Sequence, residues 1–194
     1  MKRERAPLAV YGTLGLFTLG VAFARDTSPV ATTSWLELPA WLGHPISLIG
    51  GIFLAILTIR ASRIVVARFG WARSLHTDLR GPVRGAGDET LLVLGLASGV
   101  AEELFFRGLL APVLGVLLSS VAFGALHQLR GRTGWIWSGW ATVMGLLFGA
   151  LFLATGSLLG PVVAHVAINV TNLRYLRDTD VAPPKRRLGG LLAR

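Results

Sequence analysis

Two adjacent glutamates lie inside an otherwise apolar stretch of the sequence. Glu102 and Glu103 are followed by Arg107, and no other aspartate, glutamate, lysine or arginine occurs between residues 91 and 129. A charged side chain near the centre of a bilayer costs about 2.5 to 3.5 kcal/mol, so such residues usually face a protein interior and serve a function. Glu103 and Arg107 share one helix face and can neutralise each other as a structural ion pair. Glu102 has no such local partner, and we predict that it does the chemistry.

Three further polar residues occur in apolar stretches downstream. His127 follows Phe123 by one helical turn, and His165 and Asn169 lie four residues apart on one helix face. Each of these polar side chains costs free energy when it faces lipid and much less when it faces the others. We therefore predict that they converge with Glu102 in one cavity. Taken singly, His127 could be a packing residue near the interface, and His165 with Asn169 an interhelical hydrogen-bonding pair.

These residue types suit the hydrolysis of a peptide bond. A carboxylate beside an imidazole can deprotonate water, while a second imidazole and an amide N–H can donate to the oxyanion of a tetrahedral intermediate. A glutamate and two histidines also match a catalytic zinc site in ligand type. However, His127 and His165 lie 38 residues apart, and the sequence contains no His-Glu-x-x-His motif. We therefore predict no cofactor, with zinc as the alternative.

The composition is that of an integral membrane protein. Of the 194 residues, 53% are hydrophobic and only 15% are charged, and the mean hydropathy is +0.61, which a water-soluble domain would rarely show. The net charge is +9, but the basic residues cluster between apolar segments and not along one soluble face, which argues against nucleic-acid binding. The absence of cysteine excludes disulfides and thiolate chemistry. The expected partner is the lipid bilayer.

We predict an all-α transmembrane bundle with about six spans, in which the last four form the catalytic cavity. Each span needs roughly 20 predominantly apolar residues. The predicted spans are residues 8–24, 45–59, 90–110, 113–129, 135–154 and 159–175. Pro112 is expected to end or kink the third span, and Thr155-Gly156-Ser157 to turn the chain between the last two. Close packing between spans is predicted at two Gly-x-x-x-Gly pairs, Gly95 with Gly99 and Gly145 with Gly149.

The basic residues predict the orientation of these spans. All but two of the 19 lysines and arginines fall on one side of the six-span arrangement, the exceptions being Arg25 and Arg107. By the positive-inside rule, both termini and the Arg-rich connection after the second span are cytoplasmic, and residues 25–44 form an outer loop. The chain is thus predicted to be a multi-pass protein of the plasma membrane.

The same pattern divides the chain into three regions. Residues 1–89 form a two-span region with the Arg-rich loop, residues 90–176 form the core that carries the site, and residues 177–194 form a basic, disordered cytoplasmic tail. Ala22-Phe23-Ala24 also resembles a signal-peptidase site, so removal of residues 1–24 is an alternative to a first span.

Three short motifs resemble those of a known family. Glu-Glu-x-x-x-Arg at 102–107, Phe-x-x-x-His at 123–127 and His-x-x-x-Asn at 165–169 are similar, in type and order, to the signature motifs of the CPBP family of intramembrane endopeptidases. This family includes CAAX proteases and bacteriocin-processing enzymes and is also called Abi. The resemblance covers roughly residues 89–173.

The resemblance implies roles for the residues that would bind and activate water. Glu102 would be the general base that activates water, and His127 would help to hold that water. Glu103 with Arg107 would shape the site. The protein would then be a glutamic intramembrane protease.

The resemblance also implies an oxyanion hole and a class of substrate. His165 and Asn169 would form the oxyanion hole. The substrates would be membrane-associated peptides or lipidated proteins, since eukaryotic members cut C-terminal residues from prenylated CAAX proteins.

Two other classes of function stay open at this point. A catalytically silent scaffold or bacteriocin-immunity protein would bind a peptide in the same cavity without cleaving it. A transporter has less support, because no inverted repeat is apparent in the sequence.

Overall fold

Helices make up nearly all of the regular structure. A computed structural model of the protein describes residues 2–129 and 131–181, with side chains from residue 6 onward. Its α-helices are α1 (Lys2–Ala24), α2 (Ala40–Arg68), α3 (Gly70–Arg80), α4 (Asp88–Glu103), α5 (Ala111–Leu126), α6 (Arg132–Thr155) and α7 (Leu159–Asp178). A 3₁₀ turn covers Gly81–Val83, a π-helical segment covers Leu104–Leu110, and an isolated β-bridge joins Ala31 to Ser157. The predicted all-α class is confirmed.

Several of these helices can cross a bilayer. Within the described residues, four stretches are long and apolar enough, namely Ala6–Ala24, Ala40–Arg68, Asp88–Leu126 and Arg132–Thr155. The third stretch combines α4, the π segment and α5. Helix α7 is less apolar because it carries His165, Asn169 and Asn172, yet it packs against both α2 and α4. The protein is therefore a multi-pass membrane protein.

The break between the third and fourth predicted spans lies at Gly115, not at Pro112. Pro112 sits in the first turn of α5, where proline is tolerated because the first N–H groups of a helix have no intrahelical partner. Gly115 has φ of +79° and ψ of 161°, a conformation essentially restricted to glycine. The chain folds back there, since Ser119 Oγ donates a hydrogen bond of 2.7 Å to the carbonyl oxygen of Phe106.

The returning arm is shorter than predicted. It runs from residue 116 to Leu126, where α5 ends, whereas the sequence predicted a span of residues 113–129. A crossing helix needs roughly 20 residues, so this arm does not cross a bilayer by itself. It instead forms a helical hairpin with the π segment, in which the Phe106 and Phe123 rings lie 5.0 Å apart.

Glycines allow the helices around the site to approach closely, as predicted. A Cβ added to Gly99 would lie 2.7 Å from the Val166 side chain on α7, and one added to Gly149 would lie 2.7 Å from Val116 on α5. Both distances are far below ordinary van der Waals contact between carbons. The backbones of α4 and α7, and of α5 and α6, can therefore pack closely because these positions lack a side chain.

The Arg-rich connection contains a helix that the sequence analysis did not predict. Helix α2 continues to Arg68, and α3 follows almost at once and packs against α2, α6 and α7. His76 on α3 bonds through Nε2 to the Thr179 carbonyl oxygen at 2.9 Å, and Arg80 Nη1 lies 2.9 Å from the Asp180 carboxylate. We call this region, formed by α3 with the end of α2, the starts of α4 and α6, and the end of α7, the basic end.

The predicted boundaries at the C-terminus are partly altered. Helix α7 runs to Asp178, past the predicted start of the tail at Arg177. Asp88 at the start of α4 forms an ion pair with Arg177, with 2.9 Å between Asp88 Oδ1 and Arg177 Nη1. The rest of the predicted tail, residues 182–194, lies outside the described residues.

Candidate active site

The helix that carries the two glutamates changes its geometry directly after them. The π-helical segment begins at Leu104 and holds Arg107. Such segments are rare and occur frequently at functional sites. Arg107 Nη1 donates to Glu103 Oε1 at 2.9 Å, and the two residues are 1% and 0% exposed. The ion pair predicted from the sequence is therefore present and fully buried.

Glu103 also holds His165, a contact that the sequence did not reveal. His165 Nδ1 lies 2.7 Å from the same Glu103 Oε1. Because an ionised carboxylate only accepts hydrogen bonds, Nδ1 carries the proton. The ring stacks on Phe148 with 5.2 Å between the centroids, which fixes its plane. Glu103 thus links the π segment to α7 and orients the other ring nitrogen of His165.

Glu102 faces both histidines. Its Oε2 atom lies 3.6 Å from His165 Nε2 and 3.8 Å from His127 Nε2. This oxygen is buried and has no hydrogen-bond partner among the described residues. Both distances exceed a direct hydrogen bond and suit groups that share a bridging water. The two histidines converge on the carboxylate that the sequence analysis selected.

The ring of His127 has a defined orientation and protonation pattern. Its Nδ1 donates to the Phe123 carbonyl oxygen at 2.8 Å, one helical turn earlier on α5. Because a carbonyl oxygen has no proton to give, neutral His127 carries its proton on Nδ1 and presents an acceptor at Nε2. Its Nε2 can therefore accept a hydrogen bond from a water molecule beside Glu102.

Asn169 lies one helical turn beyond His165 and is oriented from α4. Its Nδ2 donates to Ser98 Oγ at 3.0 Å, and Ser98 Oγ donates to the Gly95 carbonyl oxygen at 3.3 Å. An amide group has two N–H donors, so one remains for another acceptor. Ser98 precedes Glu102 by one turn, and this spacing is the signal that could have found it.

A cavity of about 360 Å³ contains these groups. Glu102, His127, His165 and Asn169 form its polar part, and it extends to Leu79 and neighbouring residues at the basic end. The remaining wall is largely apolar and aromatic, with Trp137, Trp140, Met144 and Phe148 among its members. Small-molecule and peptide sites have this combination of an apolar wall and a few placed polar groups. Glu103 and Arg107 do not line the cavity, and Glu103 acts on the site through its contact with His165.

The metal alternative rests on the same three side chains. Across residues 2–129 and 131–181, no group of three or more His, Asp or Glu side chains has the arrangement of a metal site. His165 Nδ1 and His127 Nδ1 are both engaged, so only their Nε2 atoms could bind a metal. The choice between water activated by Glu102 and water activated by zinc stays a prediction.

Known proteins are similar to the segment that carries this site. Residues 90–171 match the family described as type II CAAX prenyl endopeptidase Rce1-like, which confirms the resemblance to the CPBP and CAAX proteases. The chain is 34% identical over 95 residues to the uncharacterized protein YpbD of Bacillus subtilis (strain 168). That similarity covers 49% of this chain and 50% of the relative, so it spans about half the length of each. No solved structure matches the chain significantly.

Proposed function

We propose that this protein, whose residues 90–171 match the Rce1-like endopeptidases, is an intramembrane endopeptidase that hydrolyses peptide bonds with water activated by Glu102. One observation carries the proposal. The Nε2 atoms of two histidines from two different helices approach the same unpartnered oxygen of a buried carboxylate, at 3.6 Å and 3.8 Å. A purely structural glutamate at that depth would be expected to have its partners in contact.

The first step of the proposed reaction is the activation of water. A water molecule beside Glu102 Oε2 would donate one hydrogen to the carboxylate and the other to His127 Nε2, whose lone pair faces it. Glu102 takes the proton as the water oxygen attacks the carbonyl carbon of the substrate. The carbonyl π electrons move to oxygen and form a tetrahedral oxyanion. Glu102 then returns the proton to the leaving nitrogen as the C–N bond breaks, which yields a carboxylic acid and an amine, and the acid can pass its remaining proton to His127 Nε2.

The oxyanion would be stabilised from α7. Asn169 retains one N–H beyond the bond to Ser98, so it can donate in its neutral form. His165 already donates from Nδ1 to Glu103, so it can donate from Nε2 only as an imidazolium. The Glu103 carboxylate, 2.7 Å from Nδ1 and paired with Arg107, would stabilise that positive charge. We therefore assign Asn169 as the primary donor and His165 as a charged second donor.

The position of the cavity bears on the substrate. Glu102 lies roughly 21 Å along α4 from Asp88 at the usual helical rise of about 1.5 Å per residue. A substrate must therefore reach deep into the bundle, and the cavity connects that depth to the basic end. With the basic end on the cytoplasmic side, as the positive-inside rule predicts, membrane-associated peptides or lipidated proteins would enter from the inner face of the bilayer.

The test is hydrolysis of membrane peptides by the purified protein, followed by mass spectrometry of the products. Wild-type protein should cleave at least one internal peptide bond, and Glu102→Ala should abolish cleavage while its thermal stability stays close to wild type. A silent scaffold would bind such peptides and cleave none with either protein. Full turnover by Glu102→Ala on a verified substrate would refute the proposed mechanism.

A further inference from the structure

Helix α1 contributes to the cavity although it lies outside the segment that matches the family. One face of α1 packs against α4, with Thr18 and Ala22 buried. Gly15 on this face lies opposite Ala101, with 4.0 Å between an ideal Cβ and the Ala101 Cβ. Ala101 is the residue directly before Glu102. The packing of α1 on α4 is therefore fixed right beside the proposed general base.

The same helix face brings Tyr11 to the site. Tyr11 lies one turn before Gly15, is half-buried, and lines the cavity together with Glu102, His127 and His165. Its phenol group and the Glu102 carboxylate therefore face the same cavity, and no hydrogen bond joins the two among the described residues. Tyr11 was not predicted from the sequence, because nothing in the residue spacing of α1 relates that helix to α4.

The chemistry of the neighbouring groups gives Tyr11 a distinct role. Neutral His127 and His165 both carry their proton on Nδ1 and present acceptors toward Glu102. A phenol can donate its O–H to a carboxylate whatever the state of the two rings. Tyr11 is thus a hydroxyl donor in the same cavity as the Glu102 carboxylate, whose Oε2 atom has no hydrogen-bond partner among the described residues.

We propose that Tyr11 is a positioning residue for Glu102: its phenol O–H donates to the carboxylate and holds it facing the two imidazoles in the cavity. The kinetic effect of Tyr11 rests on the proposed function, whereas the contact between Tyr11 and Glu102 does not. It makes α1 a part of the active site, so removal of residues 1–24 would remove a donor to Glu102.

The contact can be tested without any substrate, because the sequence contains only 2 tyrosines, Tyr11 and Tyr175. Protein labelled with 3-fluorotyrosine should give two ¹⁹F signals, which Tyr11→Phe assigns. Glu102→Gln should shift the Tyr11 signal and leave that of Tyr175 unchanged. Glu89→Gln, which alters an exposed carboxylate near the start of the same helix, is the control and should shift neither. A Tyr11 signal that does not respond to Glu102→Gln would overturn the proposal.

The positioning role is tested by kinetics on a peptide that the wild-type protein cleaves. Tyr11→Phe should lower kcat by about tenfold, the effect of one hydrogen bond to a charged group, with KM unchanged within about twofold. Tyr175→Phe should leave both constants within about twofold. Wild-type kcat in Tyr11→Phe would refute the positioning role. Absence of cleavage by the wild type would refute the proposed function instead, while the ¹⁹F result would still decide the contact.

Discussion

Two neighbouring glutamates have different roles because their surroundings differ. Glu103 Oε1 is bound by both Arg107 and His165, at 2.9 Å and 2.7 Å, and the residue is fully buried and does not line the cavity. Glu102 has two imidazoles nearby at distances too long for direct hydrogen bonds. A carboxylate that is held by two partners away from the cavity stabilises the structure, whereas one that lines the cavity can take a proton from a water molecule there. This contrast assigns the chemistry to Glu102.

The oxyanion role of Asn169 can be tested by truncation. Asn169→Ala should lower kcat by roughly 10²- to 10³-fold with little change in KM, because the donor acts only once negative charge develops on the substrate oxygen. Ser98→Ala should have a smaller effect of the same kind, since Ser98 only orients the amide. Steady-state kinetics on a single cleavable peptide would measure both.

Metal chemistry would give a different result. If the active protein binds zinc stoichiometrically, and His165→Ala loses both the zinc and the activity, then the metal and not Glu102 activates the water. An Asn169→Ala variant that raises KM and leaves kcat intact would also contradict the oxyanion role.

At the scale of elements, a broken helix places the site. The π segment follows Glu103 without interruption, and the reversal at Gly115 returns the chain so that His127, at the end of α5, reaches Glu102. A regular helix continued through Gly115 would carry His127 away from the glutamates. The reversal is therefore as necessary to the site as the side chains themselves.

Replacement of Gly115 should show this dependence. Gly115→Ala is expected to destabilise the fold by about 1 to 3 kcal/mol, because a residue with a Cβ is strained at φ of +79°. Gly139→Ala is the matched control: Gly139 is in α6, exposed, with nothing within 4 Å of an added Cβ. It should be neutral or slightly stabilising, since alanine is the better helix former. Thermal unfolding of both variants in the same detergent would measure the difference, and equal stabilities would contradict the strain.

The sequence predicted these elements only where local signals are strong. Hydropathy located the four stretches that can cross a bilayer among the described residues, but not the shortening of the fourth predicted span. Gly156 within Thr155-Gly156-Ser157 turns the chain with a φ of +71° as expected. Pro112 is the stronger local breaker, yet the reversal lies at Gly115 because packing of the returning arm on Phe106 decides it. The short helix α3 is amphipathic, but it was missed because the connection was interpreted from its arginines and its Gly-Pro and Gly-Ala-Gly breakers.

The candidate site was predictable to a similar extent. The positions of Glu102, His127, His165 and Asn169 followed from the cost of polar groups in lipid, which requires them to converge. Contacts between helices did not follow, because they depend on the register of one helix against another. The bond between His165 and Glu103 is an example of such a contact.

At the scale of the whole molecule, the arginines and the cavity point to the same side. The cavity extends from Glu102 to the basic end, where α3 and the ends of α2 and α7 bring arginines together. We propose that this end faces the cytoplasm and that both termini lie there, because basic residues are retained on that side during membrane insertion.

Reporter fusions test this topology. A reporter after Arg194 or within residues 73–84 should be active as a cytoplasmic fusion, and one near Ser34 should be external. An external reporter at Arg80 together with a cytoplasmic one at Ser34 would invert the orientation and place the cavity mouth on the outer face.

The most direct test of the central claim compares Glu102→Gln with Glu89→Gln in peptide cleavage and peptide binding. Glutamine keeps the shape of the side chain but cannot take a proton from water. Glu102→Gln should bind a cleavable peptide with a Kd within about twofold of wild type and cleave it at least about 10³-fold more slowly, a typical loss for a general base being about 10²- to 10⁴-fold. Glu89→Gln should bind and cleave like the wild type. Cleavage by Glu102→Gln at the rate of Glu89→Gln would contradict the account.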